Sequence, residues 1–260
     1  MYPWLHLGPF YISTYSLCFL AAFAVGGYLV YREAIRRGRA TDEMLYVAIG
    51  GLVGGVIGAK ASMIIFLGPQ QWLRDLPYLW YSGQAWTGAF FCGYAGVLLV
   101  KRWRHITYST GDVFALALPV AQAIGRLGNL LGGDPFGAPT TVPWAILQRG
   151  VWRHPSAAYE LVLDLGLFAL LYAVRDRMPR PGDVFKLYVV GYCGLRFLVD
   201  FTRADPHAIW GLTLVQVIDG VAVIQFSYLL LRSYLAHRAA TRAANSAMGA
   251  LVAADPAASA

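Results

Sequence analysis

The chain has 260 residues, 58% of them hydrophobic and 13% charged, with a mean hydropathy of +0.51. Soluble domains carry about 25% charged residues, so this composition excludes a water-soluble globular protein. The formal charge of +7 sits in clusters between apolar runs, which is a pattern of membrane topology and not of a nucleic-acid footprint.

A membrane-crossing helix needs about 20 mostly apolar residues. The apolar runs here are long and unbroken, unlike the ten-residue alternation of a barrel, so the expected fold is all-α, a polytopic helical bundle. Seven spans are expected: Ile12–Tyr31, Tyr46–Leu67, Trp86–Val100, Val113–Leu131, Ala157–Val174, Val184–Phe201 and Trp210–Leu231. Residues 1–10 lack the basic stretch of a cleavable signal peptide. The second span carries Gly50, Gly54 and Gly58 at four-residue spacing, which lets a neighbouring helix approach closely in lipid. Lys60 follows them, deep enough to need a carboxylate, a phosphate or a route to the interface. Cys18, Cys92 and Cys193 form no CxxC pair and are expected to be small buried hydrophobes.

The fourth span runs into Gly125-Arg126-Leu127-Gly128-Asn129, continuing to Asp134 and Gly137. An arginine there costs at least about 2.5 kcal/mol on insertion scales, so it needs a partner or a ligand. Residues 133–156 contain Pro135, Pro139, Pro143 and Pro155, too many for one helix, and are expected to form a structured external loop. Residues 1–232 are taken as a single transmembrane domain, and the Ala-rich tail 233–260 as a cytoplasmic helix fraying into disorder.

Fourteen basic residues fall on one side of the seven spans: Arg32, Arg36, Arg37, Arg39, Lys101, Arg102, Arg104, Arg175, Arg177, Arg180, Lys186, Arg232, Arg238 and Arg242. Only Arg74, Arg149, Arg153 and Arg203 fall on the other. The positive-inside rule therefore puts the N-terminus outside and the C-terminus in the cytoplasm.

The remaining intramembrane charges come in pairs one turn apart: Glu160 with Asp164, and Arg196 with Asp200, with Tyr192 a turn before Arg196. Gln216 and Asp219 lie on the last span. One reading is a buried network that only holds helices together. The other is a site for an anion, since arginine forks bind phosphate oxygens bidentately and apolar helices suit lipid tails. No nucleophilic triad, metal-ligand cluster or phosphate loop is present, so neither a metal nor a cofactor is expected. Of the five histidines, His154 stands out because it leads directly into the fifth span.

These residues together resemble the prolipoprotein diacylglyceryl transferase family. His6-Leu7-Gly8-Pro9 with Ile12 and Tyr15 is similar to the family's opening motif. Gly125-Arg126-Leu127-Gly128-Asn129 through Asp134 and Gly137, then Pro143-Trp144, resembles its signature. His154-Pro155-Ser156 with Tyr159-Glu160, Tyr192 with Arg196-Phe197 and Asp200, and Gly211-Leu212-Thr213 with Gln216 resemble three further blocks. The resemblance implies a multi-pass enzyme of the bacterial plasma (inner) membrane. Such an enzyme transfers a diacylglyceryl group from phosphatidylglycerol, or a related anionic phospholipid, to the cysteine thiol of a lipoprotein precursor. It implies that Arg126, Arg196, Asp134 and Tyr15 are catalytic, and that Asn129, Gly137, Tyr192, Asp200, His154, Glu160 and Lys60 bind substrate. The chain departs from the pattern with aspartate at 134 and 200, where the family has glutamate. It also has no histidine in the third span, where the family has one assigned as a base. A second reading is a repurposed paralogue that binds or moves phospholipid without transfer.

Overall fold

The computed structural model describes residues 4–7, 10–67, 73–74, 86–133, 137–206 and 210–254. After a hairpin of β1 (Trp4–Leu7) and β2 (Phe10–Ser13), a helix stands at each of the seven expected spans. They are α1 (Thr14–Arg36), α2 (Asp42–Leu67), α3 (Trp86–Trp103), a fourth formed by α4 (Gly111–Ala115) and α5 (Ala117–Gly132), then α6 (Ser156–Val174), α7 (Asp183–Asp200) and α8 (Leu214–Ala254). A second hairpin, β3 (Ile146–Gln148) with β4 (Val151–Arg153), lies between α5 and α6. The fold is thus an all-α membrane bundle, as its composition requires.

Five of these helical segments are long and apolar enough to cross a membrane by length and composition: Thr14–Arg36, Asp42–Ser62, Gly111–Gly132, Ser156–Val174 and Leu214–Ala247. The helix α7 carries Asp183, Lys186, Arg196 and Asp200 within 18 residues. Asp183 and Asp200 are buried, so its charges turn into the protein, where partners offset the cost of desolvation.

The described residues pack as two units, residues 31–110 and residues 1–30 with 111–260. In the first of these, α2 lies against α3 with backbones in direct contact. A Cβ added to Gly54 would fall on the carbonyl of Cys92 and within 3.3 Å of the Gly93 Cα. One added to Gly96 would meet the Gly50 carbonyl and come within 3.3 Å of the Gly54 Cα. The glycine row expected to serve close packing therefore does so, and it meets a second glycine row on α3. Lipid supplies no hydrophobic drive between helices, so this close van der Waals contact is what holds the pair. Cys92 lies on this helix and is exposed, while Cys18 is half-buried and Cys193 buried. The expectation of three buried thiols holds for Cys193 alone, because a surface facing lipid need not be covered by protein.

In the larger unit, α5, α6, α7 and α8 pack in sequence order. One end of α7 is pinned by Asp112 of α4, which accepts hydrogen bonds from the backbone N–H groups of Gly182 at 2.7 Å and Phe185 at 3.0 Å. Those are donors that a helix start leaves without intrahelical partners. Asp183 accepts from Lys186 Nζ at 2.7 Å and from Ser233 Oγ at 3.0 Å, which ties α8 to the same end.

The last helix starts at Leu214, four residues later than Trp210. Trp210 and Gly211 both adopt positive φ, 50° and 77°, which no helix can include. Thr213 then caps it: Gln216 N–H donates to Thr213 Oγ1 at 3.0 Å, and Thr213 N–H donates to Gln216 Oε1 at 2.9 Å. This reciprocal box fixes the start. From there α8 continues for 41 residues to Ala254, about 60 Å at 1.5 Å per residue. Its alanine-rich part beyond 232 is helical because alanine is the strongest helix former. Residues 255–260 lie outside the described residues.

Candidate functional site

Three short segments fix the geometry of the site. The hairpin β3–β4 turns through Arg149 and Gly150, with φ 47° and 79°, the paired positive values of a two-residue turn whose twist matches its strands. Arg153 at its end donates to the Gly137 carbonyl at 2.9 Å, and His154 N–H to the Ala138 carbonyl at 3.0 Å. Ala138 N–H in turn donates to the Thr202 carbonyl at 2.8 Å, and Gly137 pairs antiparallel with Arg203. Ser156 Oγ donates to the Thr202 carbonyl at 2.9 Å. A Cβ on Gly137 would land on the His154 carbonyl oxygen, so only glycine permits this approach. The start of α6 is thereby laced to the end of α7.

One turn inside that lacing lies a buried ion cluster. Glu160 of α6 receives Arg126 Nε of α5 on Oε2 at 2.5 Å and Arg196 Nη1 of α7 on Oε1. Arg196 Nη2 lies 3.0 Å from Asp200 Oδ1, and Arg203 Nε lies 3.4 Å from the same oxygen and 2.7 Å from Asp205 Oδ2. Thr213 Oγ1 donates to Asp200 Oδ2 at 2.7 Å. The side chains of Arg126 and Arg196 are 13% and 10% exposed and that of Glu160 5%. Charges this deep persist only where each has partners. Glu160 supplies one to both arginines.

Beside the cluster, a narrow cleft lies between α6 and α7, bounded by Glu160, Asp164, Tyr192 and Arg196 and walled by Leu163 and Val199 among others.

Of the expected site residues, the structure brings Arg126, Glu160, Tyr192, Arg196 and Asp200 together. Tyr192 is buried and stacks on Tyr188, with ring centroids 5.9 Å apart and planes at 19°. Tyr15 of α1 passes beneath Gly128, where an added Cβ would come within 3.4 Å of it, and its hydroxyl is within electrostatic reach of Arg126. Asn129 lies three residues after Arg126 on α5, on the neighbouring face. Its carbonyl accepts from Gly133 N–H to close the helix. His154 is turned to a different group: its Nδ1 is 3.2 Å from the Tyr159 hydroxyl, to which Trp144 Nε1 donates at 2.6 Å. Gly137 serves the lacing described above. Lys60 belongs to the other unit, on α2. Asp134 lies outside the described residues.

Sequence reasoning counted Arg203 only as a basic residue flanking a span, yet its side chain is 9% exposed and joins the cluster. The signal was available, since Arg203 follows Asp200 by three residues and Arg196 by seven, continuing one helical face. Gln148 was also missed. It is buried, its Oε1 accepts from Gly137 N–H at 3.4 Å, and its Nε2 reaches the Gly133 carbonyl at 3.5 Å.

A profile of the family described as prolipoprotein diacylglyceryl transferase matches residues 3–232. The chain belongs to the prolipoprotein diacylglyceryl transferase family. It is similar to a phosphatidylglycerol–prolipoprotein diacylglyceryl transferase of Bordetella avium, with 36% identity covering 80% of this chain and 83% of that protein. Proteins of the same name match from Geobacter sulfurreducens, at 35% identity over 79% and 83%, and from Photobacterium profundum, at 30% over 89% and 92%. The profile takes in every residue of the ion cluster and ends where α8 passes into its alanine-rich part. The α3 of this family member, WTGAFFCGYAGVLLVKRW, contains no histidine.

The chemistry open to such a cluster follows from its donors. Each guanidinium has five N–H groups in a fixed fork, and the ion pairs to Glu160 and Asp200 use only part of them. The remaining donors are preorganised in a water-poor site, where stabilisation of a developing phosphate charge is strongest.

Proposed function

We propose that this protein is a transferase of the bacterial inner membrane that moves the diacylglyceryl group of phosphatidylglycerol to the cysteine thiol of a lipoprotein precursor, releasing glycerol phosphate. The observation that carries this reading is the convergence of Arg126 and Arg196, from separate helices, on the two oxygens of Glu160 beside the cleft between α6 and α7. The thiol attacks the glyceryl carbon bonded to the phosphate ester oxygen, and the leaving phosphate gains charge. Arg126 and Arg196 bind that phosphate through their free N–H groups, and the Asn129 amide and Tyr192 hydroxyl donate to it. Tyr15 lines the same space. Glu160 and Asp200 are positioning residues that hold the arginines, and Asp134, in the same signature as Arg126, acts with them as a catalytic carboxylate. His154 and Gly137 shape the approach through the laced loop, and Lys60, on the other unit, offers a cation to anionic lipid. The acceptor supplies the nucleophile, so the chain's own cysteines take no part.

Mass spectrometry of a precursor peptide incubated with the protein and phosphatidylglycerol tests the proposal. A diacylglyceryl mass on the cysteine supports it, and an unmodified peptide overturns it. The absence of histidine from α3 favours one other reading, a phospholipid-binding paralogue. That reading predicts an unmodified peptide together with phospholipid-dependent thermal stabilisation. The charge asymmetry supports an N-terminus outside and a C-terminus in the cytoplasm. A reporter fused after Arg242 that worked only outside the cytoplasm would refute this orientation.

A further inference from the structure

Among the carboxylates of the larger unit's interior, Asp164 stands apart. Both oxygens of Glu160 are in ion pairs, Asp200 holds Arg196, Arg203 and Thr213, and Asp219 is hydrogen-bonded to the Cys193 thiol. Asp164 is 3% exposed, yet it makes no hydrogen bond or ion pair among the described residues, and its Oδ2 is both buried and unpartnered. A buried polar atom in that condition costs about 1–3 kcal/mol unless something else satisfies it. Asp164 borders the cleft, on the same face of α6 as Glu160 and one turn further in, about 6 Å along the axis.

This position matches a requirement of the proposed reaction, on which the inference rests. The sulfur electron pair forms the new S–C bond, and the C–O bond to the glyceryl carbon breaks with its electrons going to the phosphate oxygen. The thiol proton must leave, and the departing glycerol phosphate, whose charge rises by one, can take it up. The arginines cannot accept a proton. We propose that Asp164 takes the proton from the acceptor thiol and returns it to the leaving phosphate oxygen, acting as the proton carrier of the transfer step. The residues facing it are Arg126 from α5, Glu160 on its own helix, and Tyr188, Tyr192 and Arg196 from α7. The two arginines attract the carboxylate and hold the phosphate within the same neighbourhood, which keeps donor and acceptor of the proton on one side of the cleft. Neither tyrosine is a suitable carrier, because a phenol at ordinary pH holds its proton more tightly than a thiol does.

The test measures single-turnover transfer to a precursor peptide in phosphatidylglycerol nanodiscs for wild type, Asp164→Asn and Asp164→Glu, across pH. Asp164→Asn preserves shape and removes the proton acceptor. Its kcat is expected to fall by about 10²–10⁴-fold, with the KM for phosphatidylglycerol within a few-fold of wild type. Its residual rate should track solution thiolate, climbing about tenfold per pH unit toward the thiol pKa near 8.5, a slope absent from wild type. Asp164→Glu should recover part of kcat and lose that slope. If Asp164→Asn does not fold, Asp164→Ser, which also lacks the proton acceptor, takes its place, and a wild-type kcat and pH profile there overturns the proposal. Wild-type kcat in Asp164→Asn overturns it, as does a loss confined to KM. A wild-type protein that transfers nothing refutes the transferase reading itself and this inference with it.

Discussion

Glu160→Gln tests whether one carboxylate holds the site together. Removing one partner of a buried ion pair costs about 3–5 kcal/mol, because the other charge is left uncompensated. Here the loss is uneven. Arg196 keeps Asp200 at 3.0 Å and Arg203 keeps Asp205 at 2.7 Å, whereas Arg126 touches no other carboxylate among the described residues. The glutamine carbonyl still accepts one hydrogen bond. The cost therefore falls near the bottom of the range, about 3 kcal/mol. At roughly 2–4 °C per kcal/mol for a protein of this size, the Tm should drop by about 6–12 °C. The assay is thermal unfolding in nanodiscs followed by tryptophan fluorescence. The companion Arg126→Met, combined with Glu160→Gln, removes the stranded charge and should recover most of the loss, since a buried pair exchanged for apolar groups is often neutral. A double variant whose loss is the sum of the two single losses would show that the two side chains do not interact, and would refute this account of the cluster.

Other outcomes follow from the packing. Gly54→Val places carbon on the Cys92 carbonyl and should separate α2 from α3, measured as loss of folded protein on size-exclusion chromatography. Gly27→Ala, with nothing within 4 Å of its added Cβ, should leave that elution unchanged. Gly137→Ala must push the His154 backbone away, and a displacement near 1 Å costs up to about 10²-fold in rate. Transfer assays should show that fall with the protein still folded. Asp112→Ala removes two hydrogen bonds from the start of α7 and should cost about 1 kcal/mol, as lost helix caps do. Unchanged thermal stability would refute the pinning role of Asp112.

Much of this architecture was legible in the sequence, and for definite reasons. Seven helices could be placed because membrane spans are long apolar runs, and the close-packing face of α2 because its glycines recur at four-residue spacing, although the sequence did not say that α3 is the partner. The meeting of Arg126 with Arg196 followed from the cost of leaving either charge unpaired. What stayed hidden depends on backbone pairing. Nothing in the local sequence says that Ala138 donates to Thr202 or that Gly137 lies against His154, because those partners are separated by tens of residues. Arg203 was misjudged because it lies just past a span end, where a basic residue usually faces water. The direction of His154 toward Tyr159 was likewise not fixed by sequence, since the same residue spacing allows the ring to face either the hairpin or the helix bundle.

The lacing also bears on how the site is built. Arg203 enters the ion cluster through its side chain, while its backbone pairs with Gly137. Glu160 lies one turn from Ser156, whose hydroxyl holds Thr202. The backbone lacing and the ion cluster therefore share the same two helix ends. A shift of the segment at Gly137 has to move Arg203 and the end of α7, and with them the distance from Arg196 to Glu160. Packed interiors yield little to such shifts, so the fixed loop keeps the arginine forks at one separation. In the proposed transfer, that preorganisation lets the cations stabilise a leaving phosphate without first rearranging. It also explains why Gly137, which carries no side chain of its own, should affect the rate.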